Sequence, residues 1–207
     1  MVAMSSSPAI DEAAVLVARC QDGDRAAFRT LFEKYAGRVH ATVYPLVSRK
    51  DEVEDVVQKV FLEVHRSVAR FEGRSLFTTW LTRVAIHVAR AHERKWWIFE
   101  RSRRSSREAA GGLQVLEGGQ AADPQSVLLE QERAEAARAL LAKLPMKKRV
   151  VLALAELQDL SAVEIADVLN IPPATVRTRL FYARRDFERL ARRDAQASRL
   201  FGLEADA

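Results

Sequence analysis

Apolar residues in this chain recur every three or four positions and do not alternate over any strand-length run. That period is the 3.6-residue turn of a helix buried on one side, so the chain reads as all-α. In DGDRAAFRTLFEKYAGRVHATVYPLV, the residues Phe28, Leu31, Phe32, Tyr35, Val39 and Val43 share one face. Asp24 suits the N-cap and Pro45 ends the helix. A second stripe runs through Val53, Val56, Val57, Val60, Phe61, Val64 and Val68, opened by Ser48 and Asp51 at capping-box spacing. A third helix is expected from about Ser75, burying Phe77, Trp80, Leu81, Val84 and Val88.

The pattern fails after about Phe99. RSRRSSREAAGGLQVLEGGQAADPQS is rich in Arg, Ser, Gly and Ala, and a structureless stretch of this length is unusual inside a compact domain. Residues 98–125 therefore read as a flexible linker between two small helical domains, 20–97 and 126–193. Helical periodicity returns near Val127 and runs to about Arg193, with breaks at Pro145, Leu160 and Pro172. MVAMSSSPAI reads as a frayed end. In the tail, Leu200, Phe201 and Leu203 are the residues able to dock.

Composition narrows the function. Of 207 residues 48% are hydrophobic, enough for one core or two small ones. Lys and Arg number 33 against 28 acids, and the net charge of +5 favours a polyanionic partner. A single cysteine, Cys20, excludes an internal disulfide and fits a reducing compartment. No apolar run is long enough to span a bilayer, and the first residues lack a secretory pattern. A cytoplasmic location without membrane insertion is expected. No Gly-rich phosphate loop or nucleophile elbow is present, and His40, His65, His87 and His92 do not fall at helical metal-ligand spacing. The chain is expected to be no enzyme and to need no cofactor.

The stretch LSAVEIADVLNIPPATVRTRLFYARR carries the densest signal. Ser161 and Glu164 form a capping box, and Ile165, Ala166 and Leu169 give a short helix its apolar side. Asn170 tolerates the left-handed conformation of a sharp turn, and Pro172 and Pro173 suit entry to the next helix. There Val176, Leu180, Ala183, Phe187 and Leu190 form the core stripe. The other side presents Thr175, Arg177, Thr178, Phe181, Tyr182 and Arg185, flanked by Arg179 and Arg184. This is a helix-turn-helix pattern, whose second helix fits a DNA major groove with side chains on base edges and arginines on phosphates. An ordinary helical hairpin with a solvated arginine face competes with that reading. It does not account for two adjacent exposed aromatics.

The amino-terminal half offers two surfaces. Asp51, Glu52, Glu54 and Asp55 crowd the start of the second helix, where the helix dipole already favours them. Gln58, Phe61 and Leu62 continue that side with the polar and apolar mixture of a partner surface. Along the third helix Arg83, His87, Arg90 and Arg94 recur at spacings of four and three, followed by Lys95, Trp96, Trp97, Arg101, Arg103, Arg104 and Arg107. Aromatics in a basic groove hold single strands, although Trp96 and Trp97 serve equally well as caps on the core.

Taken together the modules resemble a bacterial sigma factor of the extracytoplasmic-function (ECF) group of the sigma-70 family. The resemblance rests on DEVEDVVQKVF and FEGRSLFTTWLTRVA in the first module, and on LPMKKRVVLAL and LSAVEIADVLNIPPATVRTRL in the second. It covers about residues 20–97 and 126–192. It implies that the first module, region two, binds core RNA polymerase through Asp51, Glu54, Asp55, Gln58, Phe61 and Leu62. The same module would take the melted −10 element with Phe71, Arg74, Ser75, Phe77, Arg83, His87, Arg90 and Arg94. The second module, region four, would read the −35 duplex with Arg177, Thr178, Arg179, Phe181, Tyr182, Arg184 and Arg185. Implied partners are the β and β′ subunits of core polymerase, promoter DNA and an anti-sigma protein. The chain departs from the family pattern at His87 and Ala91, where Asn and Asp are frequent, at Lys59 for an acid, at Asn170 for Gly and at Tyr182 for Arg.

Two other classes compete. A stand-alone helix-turn-helix regulator would bind its site without polymerase, usually as a dimer. A non-catalytic polymerase or anti-sigma adaptor would use the basic face nonspecifically. Co-purification with core polymerase and promoter-specific transcription separate the three.

Overall fold

A computed structural model describes residues 8–104 and 124–203. Among the described residues there are helices and no strands: α1 (Pro8–Gln21), α2 (Arg25–Val43), α3 (Val53–Ser67), α4 (Phe77–Arg104), α5 (Pro124–Lys143), α6 (Met146–Leu157), α7 (Ala162–Leu169), α8 (Pro173–Arg193) and α9 (Ala195–Phe201). The chain is all-α, with two helical modules. The first is α1 to α4, the second α5 to α9.

The first module is a three-helix core with α1 laid across α2. Asp24 caps α2 as its carboxylate accepts from the amides of Ala26 (2.8 Å) and Ala27 (3.1 Å). Leu31, Val39 and Val43 of α2 meet Val56, Val60 and Val64 of α3 and Leu81, Ala85 and Ala89 of α4, all fully buried. In the second module α8 packs against α6 and α7 through Val150, Val151, Leu154, Ile165, Val176 and Ala183. The tail docks: Phe201 and Leu203 cover Leu140, Ala191 and Ala197, with Asp194 capping α9.

Several expectations are corrected. Ser48 and Asp51 form no capping box. A 3-10 turn, Lys50–Glu52, leads into α3, and Ser48 instead donates through both its amide (2.7 Å) and hydroxyl (2.6 Å) to the Glu93 carboxylate. Helix α4 runs on to Arg104, past the expected failure near Phe99. Part of MVAMSSSPAI belongs to α1, whose Ala13, Leu16 and Val17 are buried. Of the expected linker, residues 105–123 lie outside the described residues, as does Arg107.

The modules also touch. One apolar cluster runs from Leu46 and Val47 of the first through Leu141 and Leu144 of the second. Helix α4 rests on α7, and α2 on α6.

Candidate nucleic-acid interface

The helix-turn-helix is built as its sequence dictates. The Ser161 hydroxyl accepts from the Glu164 amide (3.3 Å), and the Glu164 carboxylate accepts from the Ser161 amide (2.8 Å). The Ser161 side chain and then its amide, acting on the Glu164 carboxylate, hold that carboxyl below the usual carboxylate range. Asn170 adopts the left-handed conformation (φ 51°, ψ 53°), and the Ile171 amide donates back to the Ala166 carbonyl at 3.1 Å. That pairing closes α7 and turns the chain. Pro172 caps α8 and Pro173 begins it.

With Val176 and Ala183 sealed against α6 and α7, the opposite side of α8 is fixed toward solvent. Phe181 is 62% and Tyr182 48% exposed. Their rings meet edge to face, and Lys148 lies 5.7 Å from the Tyr182 centroid. Arg177, Thr178 and Arg185 are exposed on the same side. Thr178 bonds its own helix through the Ala174 carbonyl (3.0 Å). Arg184 is paired at 2.7 Å with Glu156 of α6. Arg179 lies on the other flank, facing the first module.

In the first module, the segment between α3 and α4 is an aromatic clasp. Phe71, Phe77 and Trp80 have centroids 5.2–5.9 Å apart, and Tyr35 meets Phe77 at 5.2 Å. Gln21 of α1 donates to the carbonyls of Val68 (3.1 Å) and Phe71 (2.8 Å), anchoring the start of the loop. Gly73 takes φ +68° with open space around it, so glycine is required for the backbone and not for room. Arg74 is exposed and paired with Glu72, Ser75 is half-buried, and Phe77 is buried in the core.

The basic residues of α4 divide. His87 and Arg94 are exposed. Arg83 is engaged by the second module, donating to the Asp167 carbonyl (2.7 Å) and carboxylate (3.0 Å). Burial pushes the Arg90 guanidinium below its ordinary value, and the charge of Arg179 adds to the shift. Arg90, Arg94, Trp97, Lys147 and Arg179 line a cleft of about 760 Å³ between the modules.

On α3 and the turn before it, Asp51, Glu54, Asp55, Gln58 and Leu62 are exposed, Leu62 at 57%. Lys59 pairs with Asp55 one turn away. The Arg49 hydrogen bond holds the Asp51 carboxyl low. Phe61 is not on this surface. It is 4% exposed and meets Phe32 at 4.6 Å.

The sequence reading left out Glu93, Arg149 and Arg138. Glu93 and Arg149 pair at 3.4 Å with side chains 4% and 3% exposed. Arg149 also donates to the Leu46 (3.0 Å) and Leu144 (3.3 Å) carbonyls, and Arg138 to those of Val47 and Ser48. A signal existed: Glu93 follows the buried Ala85 and Ala89 at spacings of four, which puts a carboxylate on the buried side of α4.

This geometry defines a two-module DNA-binding protein with a helix-turn-helix in its second half. The sigma-70 region 2 model matches residues 31–98 and the sigma-70 region 4 model residues 134–187. The chain is 34% identical over 175 residues to the RNA polymerase sigma-H factor of Pseudomonas aeruginosa, covering 82% of this chain and 88% of that one. It is 34% identical over 176 residues to the ECF RNA polymerase sigma-E factor of Escherichia coli, covering 82% and 89%. Its fold is similar to CnrH in complex with the cytosolic domain of CnrY (TM-score 0.59, 22% identity, 88% of this chain and 98% of that one). It is similar also to the sigma factor RpoE bound to the anti-sigma factor NepR from Bartonella quintana (TM-score 0.59, 18% identity, 79% and 95%). The chain belongs to the ECF group of the sigma-70 family.

Proposed function

We propose that the exposed side of α8 reads the −35 duplex, with Arg177, Thr178, Phe181, Tyr182 and Arg185 toward the bases and Arg179 and Arg184 toward phosphates. Phe71, Arg74 and Ser75 of the clasp, with Arg83, His87, Arg90 and Arg94 of α4, take the −10 strand, and Phe77 supports the clasp from the core. Asp51, Glu54, Asp55, Gln58 and Leu62 dock on core RNA polymerase. Phe61 supports that surface from beneath.

The family membership makes the chain a sigma factor that directs RNA polymerase to promoters, and a stand-alone regulator is not favoured. Binding, not bond chemistry, is its part; polymerase makes the RNA. The observation that carries the −35 assignment is the solvent-facing Phe181 and Tyr182 on a helix oriented by the left-handed Asn170 and the Pro-Pro entry. An exposed aromatic next to arginines suits a thymine methyl beside phosphates.

We keep 20–97 and 126–193 as the two functional units joined by 98–125, with α1 packed on the first and α9 on the second. Polymerase holds both DNA-reading surfaces on one promoter, which raises the effective concentration of each. Regulation is by an anti-sigma protein, since the two similar solved structures are described as such a complex or as one with a cytosolic domain. Sensing is assigned outside this chain, whose single cysteine, Cys20, cannot form an internal disulfide. No described helix is long and apolar enough to cross a membrane, in keeping with a cytoplasmic location.

The test is reconstituted transcription with core polymerase and a promoter library. Asp55→Arg with Gln58→Ala is expected to weaken polymerase binding while circular dichroism stays unchanged. Full affinity in that folded variant refutes the docking face.

A further inference from the structure

We propose that Lys148 of α6 is a positioning residue for −35 reading: it holds the Tyr182 ring in one orientation on α8 and so sets which base pair that side chain prefers. The proposal rests on the placement of Tyr182 toward the bases given above.

Tyr182 needs an external restraint. A tyrosine on a helix has two common χ1 rotamers, which carry its hydroxyl to different places. With 48% of Tyr182 in solvent, packing alone does not choose between them. Two contacts restrain the ring. Phe181 meets it edge to face with centroids 5.3 Å apart, and the Lys148 ammonium lies 5.7 Å from its centroid. Phe181 is the next residue of the same helix and is itself exposed. Lys148 reaches the ring from another helix, at a distance where an ammonium is attracted to an aromatic face.

Lys148 is in turn held at both ends. It stands in the first turn of α6, next to the buried Arg149 and Val150, which fix its backbone. Its ammonium donates to the Asp186 carboxylate at 2.5 Å, and the two side chains are 30% and 22% exposed. Asp186 sits four residues beyond Tyr182, one turn along the same face of α8, and also accepts from Arg189 at 2.8 Å. The Lys148 bond holds the Asp186 carboxyl below its ordinary value. The ammonium is therefore tied between α6 and α8, and the ring settles against a fixed cation.

This pairing separates Lys148 from a lysine that grips phosphate. Its charge is already met by a carboxylate, so its effect on DNA runs through Tyr182. Tyrosine offers the ammonium a π face, whereas an arginine at position 182 would meet it as a like charge.

The test uses the full chain bound to core RNA polymerase and a promoter library randomised across the −35 element. Tyr182→Ala identifies the base pair that Tyr182 reads. Lys148→Met keeps the length and removes the charge. It is expected to lower discrimination at that base pair roughly two- to five-fold, the worth of one cation–ring contact at a half-exposed site. Preference at the other base pairs and the salt slope are expected to stay unchanged. Lys148→Arg is expected to restore most of the discrimination, and Lys148→Met in the Tyr182→Ala background is expected to add nothing. If Lys148→Met does not fold, Asp186→Asn loosens the ammonium instead and is expected to shift the same base pair by less. Uniform weakening of all promoters with a salt slope lower by about one unit marks Lys148 as a phosphate contact and overturns the proposal. A preference change that persists without Tyr182, or that Lys148→Arg does not restore, overturns it too. A changed preference in Tyr182→Ala beside an unchanged one in Lys148→Met overturns the positioning role alone. Unchanged preference in Tyr182→Ala refutes the base-facing reading of Tyr182, and the proposal with it.

Discussion

Glu93→Gln isolates the buried pair at the seam. The substitution keeps the volume and one acceptor for the Ser48 amide, now at 2.7 Å, but removes the charge facing Arg149. Breaking a buried pair from one side costs about 3–5 kcal/mol, because the other charge stays buried without a counterion. Arg149 keeps carbonyl partners at Leu46, Ala142 and Leu144, so the lower end of that range, about 3 kcal/mol, is expected. Adding Arg149→Met removes the stranded charge, so the double variant is expected to be more stable than additivity of the singles, with a coupling of about 1–3 kcal/mol. Denaturant unfolding measures this with two probes. Far-ultraviolet circular dichroism sees both modules, whereas Trp80, Trp96 and Trp97 all lie in α4 and report that helix, with Trp97 at the cleft facing the second module. Loss of less than about 1 kcal/mol in Glu93→Gln, or additive singles, refutes the reasoning, because the pair would then be solvated or uncoupled.

Tyr182→Arg is expected to change which −35 sequences are used by ~1–3 kcal/mol at one or two base pairs, read by promoter-library selection. Arg179→Ala is expected to weaken all promoters alike and to lower the salt slope by about one unit. Arg184→Ala is expected to lower it by less, since Glu156 already shares its charge. Acid should destabilise the fold through its helix caps. Amide bonds from Ala27 and then the Arg19 side chain depress Asp24, the Ala197 amide and then Lys143 depress Asp194, and Ser161 depresses Glu164. A depressed folded pKa gives stability that is present above the unfolded value, roughly 4, and is lost as pH falls through the folded value. Thermal melts from neutral to acid pH are expected to show a plateau and then a decline. Asp24→Asn, which keeps a capping oxygen, is expected to flatten that decline.

The local chemistry was legible before any coordinates. The apolar stripe from Val53 to Val68, the Asp24 cap, the Ser161–Glu164 box, the Asn170 turn and the Pro172–Pro173 entry each depend on residues within a turn or two of one another. Backbone preference and helical period therefore decide them alone. Helix α1 was missed because its short stripe becomes meaningful only against α2, and Ser48 looked like a cap because its true partner, Glu93, is 45 residues away. Phe61 illustrates the same limit. Its place on α3 fits either the stripe or the surface, and only contact with Phe32 makes it core. The tertiary structure alone decided that the modules close on one another, because no period or spacing encodes a meeting between residues far apart in the chain. Arg83 on Asp167, Arg149 on Glu93 and Arg179 beside Arg90 arise from the packing of α4 against the second module.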